Sequence, residues 1–278
     1  MDNHYNILVT LDSGYLRPLS VMLKSLAENN PDALFDIYIL HQALRQEHLN
    51  RVVHLVNESR LSLYPIMVND EKIDKFPTSN RYPKEMYFRL FCARYLPESV
   101  NRILYLDPDI VTINPLNELY NLPFHDNYFM ACSHVFKPGQ ILNGIRLKMD
   151  QDTPYFNSGV ILINVELLRQ NDNSDTVYNY IEKNKKRLFL PDQDVFSAVY
   201  GKKTILLDSL KYNLGDRYIV LHDIYPGNKA KSITLDWIKK NTVIIHYFGK
   251  NKPWKPNYRG TLNQFYHHYS SLIEKRER

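Results

Sequence analysis

The sequence contains only two cysteines, Cys92 and Cys132, in 278 residues. So few thiols argue for a reducing compartment, in which both cysteines serve as small buried hydrophobes. No run approaches the roughly 18–20 apolar residues that a membrane-spanning helix needs. The N-terminus also lacks a basic segment followed by an apolar one, so it does not resemble a signal peptide. We therefore expect a cytoplasmic protein.

Internal repeats, low-complexity runs and linkers are absent too. A net charge of +5 is too small to predict a nucleic-acid partner, although it suits an anionic ligand or an anionic membrane surface. The first predicted strand is followed by Thr10-Leu11-Asp12-Ser13-Gly14-Tyr15, which is not a G-x-G-x-x-G loop and argues against dinucleotide binding. The 21 tyrosines and 12 phenylalanines fit either a tyrosine-rich core and surface or stacking platforms for sugars and uracil.

The apolar pattern predicts alternating strands and helices. Strands are predicted at residues 6–11, 35–40, 61–67, 102–106, 160–164 and 242–247. Helical spacing links three sets of residues: Leu16, Leu19, Met22, Leu23 and Leu26; Leu49, Val52, Val53 and Val56; and Met86, Leu90, Phe91 and Arg94. Further helices are predicted at 175–185, 194–200 and 262–278. This rhythm predicts a mostly parallel α/β sheet in a domain of residues 1–256, followed by a helical tail at 257–278.

Two aspartates follow the fourth predicted strand, in the sequence Leu106-Asp107-Pro108-Asp109. Residues i and i+2 of a strand face the same way, so both carboxylates project together. Such carboxylates repel each other, and a hard divalent cation relieves the repulsion. Because Pro108 has no N–H, strand pairing ends there and the pair is expected to be exposed. Taken alone, the pattern fits a turn capped by aspartates equally well.

His246 lies near the end of the strand predicted at 242–247. On its own, such a histidine is more often structural than a ligand. With Asp107 and Asp109 it completes a carboxylate–carboxylate–imidazole set, which favours Mn²⁺. Lys252 follows Gly249 and can reach a phosphate. A metal and this lysine would together neutralise a diphosphate leaving group.

Other polar segments suit a sugar nucleotide. Amides and carboxylates before one strand and at the start of one helix can recognise hydroxyl groups in fixed geometry. These residues are Asn157, Ser158, Asp192, Gln193 and Asp194. Asp192 also fits a helix N-cap. After the first strand, Asp12 and Tyr15 can hold a base through a hydrogen bond and a stack.

Six motifs in order resemble glycosyltransferase family 8, which includes bacterial lipopolysaccharide galactosyltransferases and glycogenin. The motifs are LDSGY at 11–15, MYFRL at 86–90, LYLDPDI at 104–110, FNSGVILIN at 156–164, PDQD at 191–194 and HYFGKNKPW at 246–254. The resemblance spans about residues 5–256. It implies a GT-A fold, that is, a Rossmann-like nucleotide-binding mixed sheet flanked by helices. It also implies a UDP-hexose donor, Mn²⁺ with Mg²⁺ as a substitute, and retention of anomeric configuration.

The resemblance implies a role for each matching residue. The implied metal ligands are Asp107, Asp109 and His246. The implied nucleotide and diphosphate positions are Thr10, Asp12, Gly14, Tyr15, Pro108, Gly249 and Lys252. The implied donor-sugar positions are Arg89, Asn157, Ser158, Asp192 and Gln193. Ser13 and Ser158 depart from the usual acidic and alanine residues of the family, which leaves the hexose open between glucose and galactose.

Retention requires either a protein nucleophile with two displacements or attack from the leaving-group side. The catalytic candidates near the sugar are Asp192, Gln193 and Asp194. Gln193 and Asp194 are the nearest candidates for a nucleophile or a charge stabiliser. Because an amide is a poor nucleophile, same-side attack with a UDP oxygen as base is favoured.

Two other classes of function stay open at this point. LDPDIV at 106–111 also resembles haloacid-dehalogenase phosphohydrolases, in which Asp107 would attack phosphorus. Such an enzyme needs a second acidic pair, which the sequence does not offer, and this assignment leaves HYFGKNKPW unexplained. A non-catalytic sugar-nucleotide sensor is the third possibility. The acceptor is open among a glycan, a glycolipid and a protein.

The C-terminal tail combines an aromatic helical face with basic residues. Leu262, Phe265, Tyr266, Tyr269, Leu272 and Ile273 share the face. The basic residues around it are His267, His268, Lys275, Arg276 and Arg278. Either the helix docks on the domain, or its aromatic residues lie at the headgroups of an anionic membrane, which would place the protein peripherally at the inner face.

Overall fold

The structure is a computed structural model that describes residues 3–79, 83–224 and 233–275. The strands are β1 His4–Thr10, β2 Leu34–His41, β3 Leu61–Met67, β4 Arg102–Leu106, β5 Ile110–Thr112, β6 Phe129–Cys132, β7 Val160–Asn164, β8 Thr204–Leu207 and β9 Ile244–His246. The α-helices are α1 Leu16–Asn29, α2 Gln46–Val56, α3 Asn117–Tyr120, α4 Lys137–Leu147, α5 Val165–Gln170, α6 Ser174–Asn184, α7 Pro191–Tyr200, α8 Ser209–Tyr212, α9 Asp216–Ile224, α10 Leu235–Asn241 and α11 Asn263–Glu274. The 3-10 helices span Ser13–Tyr15, Ile73–Lys75, Lys84–Arg94, Lys185–Arg187 and Gly201–Lys203.

Within the described residues, the main sheet has seven strands in the order β3-β2-β1-β4-β7-β6-β8. Parallel pairs join β1 to β2 and β4, β2 to β3, and β6 to β8. Strand β7 runs antiparallel to both β4 and β6. A separate antiparallel pair joins β5 to β9. The predicted mixed, mostly parallel α/β sheet is therefore confirmed.

Helices cover both faces of the sheet because alternate strand residues point to opposite sides. On one side, Ile7 and Leu104 pack with the buried faces of α1 and α2. On the other, Leu8 and Tyr105 pack with the Lys84–Arg94 helix and with α5, α6 and α7. The two apolar layers hold the strands so that the polar residues after β1 and β4 lie at one edge.

Several local predictions were wrong in detail. Residues 84–94 form a 3-10 helix, and the last strand starts at Ile244. In α2, Val53 is exposed and Leu55 is buried in its place. Strands β5, β6 and β8 went unpredicted, since strands of three or four residues are too short to show a period.

Helix α11 is docked on the domain. Leu262, Tyr266, Tyr269 and Ile273 are buried in an apolar cluster with Tyr247. This burial favours the docked alternative, because the same side chains cannot also lie among lipid headgroups. Predicted tail residues Arg276 and Arg278 fall outside the described residues. Among the helices that the structure describes, none has both the length and the apolar character that crossing a bilayer requires.

Two tyrosines of α11 give a matched pair of stability predictions. The hydroxyl of Tyr266 is buried without a hydrogen-bond partner among the described residues, whereas that of Tyr269 accepts from Asn29 Nδ2 at 2.7 Å. Removing an unsatisfied buried hydroxyl relieves a desolvation cost of about 1–3 kcal/mol, and removing a satisfied one loses about 1 kcal/mol. Tyr266→Phe should therefore raise the free energy of unfolding and Tyr269→Phe should lower it. Urea unfolding of both variants measures the difference, and equal shifts would contradict the contacts.

Candidate active site

A cavity of about 1010 Å³ opens beyond the carboxyl ends of β1 and β4. All the residues predicted to bind metal or donor line it, which is what the crevice rule for open α/β sheets leads one to expect. They are Thr10, Asp12, Gly14, Tyr15, Arg89, Asp107, Pro108, Asp109, Asn157, Ser158, Asp192, Gln193, His246, Gly249 and Lys252. The volume suits a ligand of nucleotide size.

The strand pair β5–β9 brings the three predicted metal ligands together. Ile110 pairs with His246, so the histidine lies beside the aspartate that precedes β5. His246 Nε2 is 3.2 Å from Asp109 Oδ1 and 3.6 Å from Asp107 Oδ2. One ligand atom from each residue lies within 4.8 Å of the others. Asp109 is buried rather than exposed as predicted, since β9 covers it.

The orientation of His246 is set by Asn213. His246 Nδ1 lies 2.9 Å from Asn213 Oδ1, while Asn213 Nδ2 donates to Asn157 Oδ1. An amide oxygen only accepts, so Nδ1 carries the proton. Nε2, the other ring nitrogen, points at the two carboxylates and is the atom that can bind a metal ion between them.

Gly159 leaves room between the ligands. A Cβ at this position would lie 2.2 Å from His246 Cε1 and 2.7 Å from Asp107 Oδ2. A side chain here would therefore occupy the space that the ligand atoms surround. Two carboxylates, one imidazole and this gap fit a divalent cation of the Mg²⁺ or Mn²⁺ type.

Asp107 is held in place by two neighbours. Arg89 Nη1 donates to its Oδ1 at 2.9 Å, and the Tyr105 hydroxyl donates to the same atom at 2.5 Å. The guanidinium also stacks on the Tyr105 ring, 4.2 Å from the centroid. Burial alone would lower the pKa of the Arg89 guanidinium. The neighbouring Asp107 and Tyr105 raise it by more, so the pKa lies above its ordinary value. The arginine thus stays charged and fixes the carboxylate.

Asp109 forms a buried ion pair with Lys252. Lys252 Nζ donates to Asp109 Oδ2, and to the carbonyl oxygen of Tyr247 at 2.9 Å. Burial alone would raise the pKa of Asp109, yet Lys252 and His246 hold it well below its ordinary value. The carboxylate is therefore ionised, as a metal ligand must be.

On the far wall of the cavity lie two polar side chains, Asp192 and Gln193. Asp192 is buried, and its Oδ2 has no hydrogen-bond donor among the described residues. Burial raises the pKa of Asp192, while Arg89, 3.5 Å away, opposes that rise. Gln193 Oε1 accepts from Asn157 Nδ2 at 3.1 Å. These two residues can offer hydrogen bonds to a polyhydroxylated ligand.

The position of Asp194 speaks against the catalytic role predicted for it, because this residue does not line the cavity. It is fully buried, and Arg146 binds both of its oxygens at 2.7 Å. The Tyr155 hydroxyl and the backbone N–H groups of Phe189 and Leu190 also donate to it. A carboxylate satisfied in this way anchors the start of α7 and is not free to attack a sugar.

In the loop after β1, Asp12 has a structural role and also faces the cavity. Its Oδ1 accepts from Gly14 N at 2.7 Å and so caps the 3-10 helix Ser13–Tyr15. Both Asp12 and Tyr15 also line the cavity. The Tyr15 ring meets Trp254 edge to face, with 6.2 Å between centroids.

Comparisons with known proteins agree with this arrangement. The family model described as glycosyl transferase family 8 matches residues 6–257. The chain belongs to glycosyltransferase family 8. It is thus a glycosyltransferase, which decides against the phosphohydrolase and sensor alternatives and implies a nucleotide-sugar donor and a glycan acceptor.

Two similar relatives and one solved structure illustrate the match. The lipopolysaccharide 1,2-glucosyltransferase of Escherichia coli is 28% identical over 90% of this chain and 73% of its own. The lipopolysaccharide 1,3-galactosyltransferase of Salmonella typhimurium is 24% identical over the same shares. A crystal structure of the galactosyltransferase LgtC with donor and acceptor sugar analogs superposes with a TM-score of 0.82, at 22% identity, over 96% of this chain and 95% of that one. This likeness confirms the GT-A fold.

Sequence reasoning missed two residues of this glycosyltransferase. Asn213 follows the four-residue helix α8, and nothing in its local sequence indicates a contact with His246. His134 follows the short β6, where its Nε2 donates to the Asn213 carbonyl oxygen at 2.7 Å and its ring stacks on Phe248. Burial lowers the pKa of His134 to about 3, so the ring is neutral. Only the folded structure reveals either contact.

Asn213→Ala tests the orientation of His246. Without the amide oxygen the imidazole loses the acceptor for Nδ1–H, and partners of this kind contribute about 10–100-fold to metal affinity. We expect the Kd for Mn²⁺, measured by titration calorimetry, to rise by about that factor. Asn213→Asp keeps an acceptor for Nδ1 and should lose less. Unchanged Mn²⁺ affinity in Asn213→Ala would exclude the positioning role.

Proposed function

We propose that this enzyme transfers glucose or galactose from a UDP-sugar, with retention of configuration and with Mn²⁺ as its metal. The observation that carries the proposal is the cluster of Asp107, Asp109 and His246 ligand atoms at the edge of a cavity of nucleotide size. Carboxylate ligands suit Mg²⁺ and Mn²⁺, and the imidazole favours Mn²⁺.

The relatives support the choice of sugar and acceptor. Their names specify glucosyl and galactosyl transfer to lipopolysaccharide. We infer that the acceptor here is also a sugar of a cell-envelope glycan or glycolipid, with a protein as the alternative. With an acceptor of this kind, we expect a cytoplasmic enzyme that acts peripherally at the inner face of the membrane.

Different residues of this chain would act on the diphosphate and on the sugar of the donor. A bound divalent cation would neutralise charge that develops on the diphosphate. Lys252 lies next to Asp109 and can turn to the same phosphates once a cation takes its place at the carboxylate. At the sugar, the Asp192 oxygen that lacks a hydrogen bond and the amide of Gln193 would orient the hydroxyl groups. Such fixed groups act mainly by positioning and by electrostatic stabilisation.

Same-side attack fits these contacts better than a double displacement. Asp194 is held by five hydrogen bonds and lies outside the cavity lining. Gln193, which does line it, is an amide and a poor nucleophile. The acceptor hydroxyl would then attack on the face that UDP leaves, with a phosphate oxygen taking its proton.

A panel of nucleotide sugars tests the proposal. UDP-glucose and UDP-galactose with Mn²⁺ should release UDP, EDTA should abolish the release, and GDP-mannose should be inert. Full activity in EDTA, or equal use of the GDP-sugar, would contradict the assignment. A phosphomonoester serves as the control for hydrolase activity and should release no phosphate. NMR of the product then reports the anomeric configuration.

A further inference from the structure

Exposed apolar side chains are concentrated at the mouth of the cavity. Twelve large apolar side chains are exposed in the described part of the chain, and half of them lie on three segments that also line the cavity. We call this half the mouth rim; it consists of Ile141, Leu142, Ile145, Phe189, Val220 and Ile224. Ile145 is 72% exposed and Leu142 68%. Several exposed apolar side chains beside one cavity indicate an interaction surface.

The mouth rim continues the faces of two helices that border the cavity. In α4, Asn143 and Arg146 line the cavity, and the exposed residues Leu142 and Ile145 lie next to them around the helix. In α9, Arg217 and Leu221 line it, and the exposed Val220 and Ile224 adjoin them. Phe136, before α4, stacks on Tyr218 of α9 with 6.1 Å between ring centroids, so the two helices start side by side.

Phe189 joins the third segment to this surface. It is 66% exposed and lines the cavity, and the guanidinium of Arg146 in α4 lies 4.6 Å from its ring centroid. Arg146 Nη1 also donates to the carbonyl oxygen of Arg187. The segment that precedes Phe189 is thereby fixed against α4.

Exposed basic side chains outnumber acidic ones on these three segments, and the excess comes from α4 and the segment before Phe189. Their exposed basic side chains are Lys137, Lys148, Lys185, Lys186, Arg187 and Arg217. Helix α4 contains no acidic residue, whereas α9 contains Asp216, which accepts hydrogen bonds from Tyr258 and Thr261, and the partly exposed Asp223. The whole chain, in contrast, has 35 basic and 30 acidic residues. An apolar surface edged with cations matches an anionic lipid surface, where apolar side chains enter the headgroup boundary and cations meet lipid phosphates.

We propose that the mouth rim rests on an anionic bilayer, so that the cavity opens onto the membrane and receives a lipid-anchored acceptor. The part concerning the acceptor rests on the proposed transfer reaction; membrane binding does not. This surface differs from the C-terminal tail, whose aromatic face is buried against Tyr247. A soluble donor enters the same cavity without the membrane, so donor hydrolysis is independent of the rim.

Vesicle sedimentation of the full chain tests the surface. Wild-type protein should bind vesicles of phosphatidylglycerol and phosphatidylcholine at low salt and bind pure phosphatidylcholine at least about tenfold less. Ile141→Ser/Leu142→Ser/Ile145→Ser and Val220→Ser/Ile224→Ser should each weaken binding to the anionic vesicles by at least about tenfold. Lys186→Glu/Arg187→Glu should do the same and reduce the salt dependence.

Matched controls separate this surface from exposed apolar residues in general. Val53→Ser/Met67→Ser changes two apolar side chains of similar exposure, 57% and 58%, on α2 and β3 and should bind as the wild type does. Lys275→Glu, in the C-terminal tail, should also bind normally. All rim variants should keep wild-type UDP-sugar hydrolysis in solution. If the wild-type protein hydrolyses no UDP-sugar, the proposed function is refuted. The vesicle experiment still tests membrane binding by the mouth rim, because that binding does not depend on the transfer reaction.

Three results would overturn the inference. The first is failure of the wild-type protein to sediment with anionic vesicles. The second is rim variants that bind as tightly as the wild type. The third is a wild-type dimer in sedimentation equilibrium that the rim substitutions dissociate without any vesicle binding, which would make the rim an interface between copies of this chain.

Discussion

Replacement of Gly159 by alanine is expected to abolish metal-dependent turnover while leaving the fold intact. The new Cβ would lie 2.2 Å from His246 Cε1 and 2.7 Å from Asp107 Oδ2, closer than any van der Waals contact allows. The backbone itself accepts alanine, since Gly159 does not adopt a positive φ. The imidazole or the carboxylate must therefore move, and we expect UDP release to fall by at least about 10²-fold.

A second glycine provides the control for this substitution. A Cβ on Gly139, in α4, meets no atom closer than Val135 Cβ at 3.5 Å. Gly139→Ala should keep full activity and raise the free energy of unfolding by about 0.5–1 kcal/mol, because alanine favours the helix. Mn²⁺ should raise the Tm of the wild type and of Gly139→Ala but not that of Gly159→Ala. A normal Mn²⁺ response in Gly159→Ala would place the metal elsewhere.

Asp109→Asn should produce a loss of similar size for a different reason. The shape of the side chain is kept, but the charge that the cation needs and the ionic partner of Lys252 both disappear. Activity with Mn²⁺ should fall by about 10²-fold or more. Stability should fall too, by up to about 3–5 kcal/mol, since Lys252 is left charged and buried.

An exposed ion pair of the same chemistry controls for the loss of a charge. Asp74 pairs with Lys84 at 2.9 Å on the surface, far along the chain from the ligands. Asp74→Asn should change neither kcat nor Tm appreciably, because solvent screens such pairs. Thermal unfolding and UDP release from both variants, measured side by side, separate the metal site from general charge effects. Wild-type activity in Asp109→Asn would contradict its role as a ligand.

The strands of the nucleotide-binding half were predictable because their apolar runs are long and well separated. The bounds of β3, β4 and β7 match the predictions, and the alternation with helices indicated the parallel pairing. Helix α4 was not predicted, although Ile141, Leu142 and Ile145 recur at helical spacing in a short segment that contains two glycines and a proline. The same three side chains are exposed and form part of the mouth rim.

The candidate site was predictable where the motif itself carries the ligand atoms, as for Asp107, Asp109 and His246. Side chains that act through other side chains were not. Asn213 contacts His246 across 33 residues, and no local pattern encodes such a contact. The hydrogen bonds of Asp194 were hidden for the same reason, since its partners Arg146 and Tyr155 lie 48 and 39 residues away. Long-range hydrogen bonds decide whether a carboxylate is free or occupied.

The pairing of β5 with β9 has a consequence for the order in which the enzyme is made. The ribosome releases Asp107 and Asp109 well before the strand that supplies His246. All strands of the seven-stranded sheet precede that strand, although Val243 and Ile244 pack in the apolar layer on one face of the sheet. A nascent chain can thus build its main sheet while its two carboxylates still lack the third ligand. We expect a product that stops before residue 244 to lack His246 and part of that apolar layer, so that it cannot assemble the candidate metal site and, on the proposed function, cannot consume sugar nucleotide.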